Sequence, residues 1–102
     1  MKISGKKDIV AERLRGRAAI DLIYVPRINE AMGPKFALYQ AKATLAYNQV
    51  VMSDNDSPNE IIERHEAHIN LISTIESQRQ AAQAQVDAAT SAAEIDAIIA
   101  AL

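Results

Sequence analysis

His65 and His68 fall in the stretch IIERHEAHIN, residues 61–70, beside Glu63, Arg64 and Glu66. Imidazoles and carboxylates packed this closely could bind a metal or move a proton. The zinc-protease motif needs His at i and i+4 with a Glu base between them. Here the histidines are three apart, so the motif is not met. One helical face could still present both rings to one ion. However, Glu63 and Glu66 lie off that face, and a structural zinc site closes at four ligands. The Glu-x-x-His pairing of di-iron bundles is also missing, because positions 62 and 65 are Ile and His. We therefore assign no metal and no cofactor to these residues.

Other chemistry is equally thin. The chain has no cysteine, hence no thiolate and no disulfide. Its three glycines, at 5, 16 and 33, are too scattered for a phosphate loop. No serine sits in a nucleophile elbow. DNDS, with Asp54 and Asp56, resembles the start of a calcium loop but lacks the glycine and the closing glutamate. A small alanine-rich core also leaves little room for a pocket. The expected reading is no enzyme and no catalytic residues.

The histidines make better sense as part of a helical seam. Ile61, His65, His68, Ile72, Ile75, Arg79, Ala82, Val86 and Ala89 alternate steps of four and three, a heptad pattern. Polar residues on such a seam lower stability and select register. Buried imidazoles there could also make packing respond to pH.

The elements that must carry this seam can be read from spacing and turn signals. The sequence predicts an all-α chain of three to four helices in one domain: a basic arm over 1–7, then helices over 8–25, 35–53, 58–89 and 91–101. The long third helix would form an elongated hairpin or an oligomeric bundle. Asp8 can cap the first helix, whose apolar row is Val10, Leu14, Ala18, Leu22 and Val25, and Pro26 is expected to end it. Residues 26–34 then read as a connector closed by Gly33 and Pro34. Phe36, Tyr39, Ala43, Ala46, Tyr47 and Val50 mark the second helix. Ser57 with Glu60, and Ser91 with Glu94, are capping boxes for the third and fourth. No apolar run is long enough to span a bilayer, and no secretion signal is evident.

Charge is uneven. Residues 1–17 hold six basic side chains against two acids, a sum of +4, and the rest of the chain sums to −6. A basic segment can contact nucleic acid. The absence of interleaved aromatics and of a recognition-helix turn argues against that use.

Two segments carry a resemblance: RAAIDLIYVPRINEAMGPKFALYQAKATLA, residues 17–46, and HINLISTIESQRQAAQAQVDAATSAAEIDAII, residues 68–99. Tyr39, Lys42 and Ala46 match a Y-x-x-K-x-x-x-A helix. Ile75, Arg79, Gln83, Val86, Ala88, Ala89, Thr90, Glu94, Ile95, Asp96, Ala97 and Ile98 match an Ala-rich tail. The pair resembles small proteins, and the ends of larger ones, encoded among the tail and tail-fibre genes of tailed bacteriophages. Gly33-Pro34 inverts the Pro-Gly of that pattern, and the insert at 53–60 is short. The resemblance implies a virion component made in the host cytoplasm: a helical adaptor, hinge or collar subunit of the tail region. The expected interface is Ile61, His65, His68, Ile72, Ile75, Arg79 and Val86, with Tyr39 and Tyr47 as anchors. Partners would be further copies, as a trimer given isoleucine at both seam positions, and other tail or fibre proteins. The alternative is an assembly chaperone or helical regulator absent from finished particles.

Overall fold

The computed structural model describes residues 8–52 and 56–102. The expected basic arm 1–7 and Asp54 of the acidic turn lie outside the described residues. The described residues form four helices and no strand: α1 (Ile9–Met32), α2 (Phe36–Tyr47), α3 (Pro58–Ala88) and α4 (Ala92–Ala100). The fold is all-α, and its 31-residue helix lies in the C-terminal half.

The helix starts are local chemistry. Asp8 accepts from the Val10 N–H at 3.0 Å and opens α1. At α3 the capping box closes both ways: Ser57 Oγ accepts from the Glu60 N–H, and Glu60 accepts from the Ser57 N–H. At α4, Ser91 Oγ accepts from the Glu94 N–H at 3.2 Å. Glu94 reaches one residue further back than a standard box and accepts from Thr90 N–H and Oγ1. That bonding holds its carboxyl below the usual range.

Two helix ends differ from expectation. Pro26 lies inside α1, which runs on to Met32. Proline removes one bond, to the carbonyl of Leu22. Leu22 is on the open side of the helix, where water can take that carbonyl. Gly33 is the real terminator: at φ +75° it turns the chain while its N–H bonds the Asn29 carbonyl. The second helix stops at Tyr47 rather than 53. Gln49 takes φ +61°, Gln49 N–H bonds Ala46, and Val50 N–H reaches back to Leu45. This is a Schellman closure with glutamine where glycine is usual.

The chain divides into two compact units: residues up to Arg27 together with Glu76–Leu102, and Ile28–Ile75. The first packs α1 on the end of α3 and on α4. Ile20, Val86 and Ile95 are fully buried there, with Tyr24, Ala82 and Ala89 beside them. Gly16 also lies in this core, against Val86 and Ile95. The second unit holds the end of α1, all of α2 and the start of α3, and buries Ala43, Ala46 and Ile61. Among the described residues no helix is long and apolar enough to cross a membrane.

Candidate functional site

The histidine stretch lies in the second unit. Tyr39 and Lys42, one turn apart on α2, face Ile61, Arg64, His65 and His68 of α3 across a cleft of about 390 Å³, with Asp56 at its edge. That volume is within the range of small-molecule sites. His68 Nε2 sits 2.5 Å from the carbonyl of Ala31. A carbonyl only accepts, so Nε2 carries the proton and donates. Ala31 is in the last turn of α1, where carbonyls lack helical partners, so His68 caps that helix end. Phe36 and Tyr39 hold the ring by edge contacts at 5.6 and 6.3 Å between centroids. His65 is different: its Nδ1 is buried without a hydrogen-bond partner. Arg64 binds Asp56 and holds its carboxyl below the usual range. Tyr47 donates to Glu66 at 3.0 Å, which raises its phenol pKa. Among the described residues no three His, Cys, Asp or Glu side chains are grouped to hold a metal. The cleft joins one helix cap to one unpartnered imidazole nitrogen, without a nucleophile beside a base.

In the first unit, three of the six basic side chains of residues 1–17 fall among the described residues, and each is partnered. Three arginines of α1 meet the chain's own acceptors. Arg13 donates through Nη2 and Nε to the Ala89 carbonyl, at 2.8 and 3.2 Å, just past the end of α3. A cation there offsets the negative end of the helix dipole. Arg15 bridges Glu12 and Asp96 at 2.8 and 2.7 Å. Arg17 makes a two-pronged contact with Asp87, which lowers the Asp87 pKa. On the same helix the polarity reverses: Asp21 accepts from Arg79 at 3.1 Å and from Gln83 at 3.2 Å. Arg79 also grips Glu76 and depresses its carboxyl pKa.

Of the residues expected at an interface between chains, Val86 is fully buried and Ile61 nearly so, each within this chain. His65, His68, Ile72, Ile75 and Arg79 are partly covered. The seam of α3 is thus largely occupied by the chain's own helices, and Arg79 serves as a bridge to Asp21. Tyr39 and Tyr47 stay open, at 42% and 55% exposure. Another exposed apolar surface lies on α1. There, Val10, Leu14, Leu22 and Val25 are 60%, 64%, 78% and 42% exposed, and Ala11 and Ala18 are exposed between them. The row that marks α1 as a helix is therefore its outer face. Its inner face is Gly16, Ile20 and Tyr24.

Sequence reasoning missed that inner face because Gly16 has no side chain to register as apolar. Asp21 was missed because its partner is 58 residues away. Compared with known protein families, curated proteins and solved structures, the chain matches none.

Proposed function

We propose that this chain is a non-enzymatic subunit of a tailed-phage virion, a small helical adaptor in the tail or tail-fibre region that works by helix-on-helix packing. The residue pattern over 17–46 and 68–99 supports the phage assignment. The outer face of α1 carries the packing assignment. Four large apolar side chains stand in one row there, and a contiguous exposed apolar strip is the usual mark of a contact surface. The arginines nearest that row are already neutralised by Asp96, Glu12 and Asp87, which favours an apolar partner over nucleic acid.

Quantitative mass spectrometry of gradient-purified particles of the encoding phage tests this reading. We expect the chain at a fixed small multiple per particle. Presence in infected-cell lysate with absence from particles would overturn it, and would favour an assembly chaperone that uses the same face transiently.

A further inference from the structure

We propose that α1 pairs with α1 of a second copy of this chain, antiparallel, about a two-fold axis through Ala18. The inference rests on the reading of α1's outer face as an assembly surface, and it names the partner.

The spacing of that face is symmetric. Ala11, Leu14, Ala18, Leu22 and Val25 stand at −7, −4, 0, +4 and +7 relative to Ala18. At about 100° per residue the five fall within one stripe roughly 80° wide, and all five are exposed. A two-fold contact needs a patch complementary to itself, in which residue i meets j and j meets i. Antiparallel pairing supplies this. Leu14 of one copy comes level with Leu22 of the other, Ala11 with Val25, and Ala18 with its counterpart. Small meets large at the ends, and the smallest pair lies at the centre, where the backbones approach most closely. A parallel pair would set Ala11 on Ala11 and leave that end unfilled.

The charges oppose this arrangement only weakly. An antiparallel two-fold brings each flank of the stripe against itself, so unpaired like charges would repel. Arg15 on one flank arrives bound to Glu12 and Asp96. Asp21 on the other arrives bound to Arg79. With their partners counted, one arginine against two carboxylates on each side, each flank sums to −1, a repulsion between largely exposed groups that salt screens.

The contact is small. From Ala11 to Val25 the stripe runs about 21 Å on a helix about 10 Å across, well short of the ~800 Å² per partner of a standard interface. The pair is therefore weak in dilute solution, with a dissociation constant on the order of 100 µM. It becomes populated where an assembly holds copies close together.

The chain has no native cysteine, so single introduced cysteines report proximity in the full-length protein. Ala18→Cys should oxidise to a covalent dimer at least about tenfold faster than Ala84→Cys, an exposed control on α3. Leu14→Cys alone should not, because the two copies of position 14 stand about 12 Å apart along the pair, beyond disulfide reach. A mixture of Leu14→Cys and Leu22→Cys should cross-link to the mixed dimer. Sedimentation equilibrium up to about 1 mM should show reversible dimerisation that Leu22→Glu abolishes while its helical circular dichroism is retained. A wild-type monomer at about 1 mM would overturn the proposal, as would fast self-linking of Leu14→Cys. Either result would leave the particle measurement, and the virion reading, untouched.

Discussion

Gly16 stands so close to Val86 that a Cβ on the glycine would lie 2.9 Å from Val86 Cγ1, and 3.0 Å from Cγ2 of Ile95. Both neighbours are fully buried and β-branched, with stiff χ1 rotamers that cannot swing away. Inside a helix, glycine ordinarily costs about 1 kcal/mol relative to alanine. Here the sign reverses. Gly16→Ala should destabilise by about 1–3 kcal/mol through overpacking. Each kcal/mol lowers Tm by about 4–8 °C for a chain of this size. Val86→Ala alone leaves a cavity, and combined with Gly16→Ala it should show a favourable coupling of about 1 kcal/mol. A rise in Tm for Gly16→Ala would contradict the close approach.

The parts of this fold legible in sequence are those decided within one turn. Ser57 with Glu60, Ser91 with Glu94, and Asp8 each cap the helix they announce. Helix ends were less legible. Pro26 is a strong local stop, but its lost bond falls on the open side of α1. Val50, Val51 and Met52 continue an apolar pattern although Gln49 has already turned the chain. Burial was least legible. The α3 stripe was visible as a heptad, yet its Val86 is met by Gly16 of α1 and its Ile61, His65 and His68 face Tyr39 of α2, none of them near in sequence. Charge balance across α1 shows the same limit, since Arg17 finds Asp87 across 70 positions.

Gln49 occupies a left-handed conformation at φ +61°, which costs an L-residue about 1–2 kcal/mol. Glycine takes it freely, although it loses more entropy on folding. Gln49→Gly should therefore stabilise the end of α2 by up to about 1 kcal/mol. Gln49→Val should destabilise it, because a β-branched side chain tolerates that region least. Thermal melts of the two variants should move in opposite directions. Equal shifts would mean that the Schellman closure contributes nothing to stability.

Acid should loosen the ion pairs in a defined direction. Arg17 holds the Asp87 carboxyl below its ordinary value, and Arg79 does the same for Glu76. A carboxylate depressed on folding contributes stability that is complete above its unfolded pKa, near 4, and is lost as pH falls through the lower folded value. Because Arg17 and Asp87 are each nearly half exposed, solvent and salt screen the pair and its effect is modest. Asp87→Asn should melt below wild type at pH 7, and the gap should narrow as pH falls from about 4 through the lower folded pKa of Asp87. A gap that persists unchanged at low pH would assign the loss to packing instead.

The two units should open at different rates. The first buries Ile20, Tyr24, Val86 and Ile95, whereas the second buries two alanines and Ile61. Less apolar burial means a lower free energy of local opening. Helix α3 crosses both units, so one continuous helix supplies its own comparison. Amides over 62–72 should exchange faster than those over 79–88. His68→Ala removes the cap on the Ala31 carbonyl and the edge contacts with Phe36 and Tyr39. It should raise exchange further over 28–47 and leave protection around Val86 and Ile95 unchanged. Hydrogen exchange read by mass spectrometry decides this. Uniform protection along α3, or a His68→Ala effect that reaches Ile95, would show that the units open together and that the thin alanine core is not the weak point.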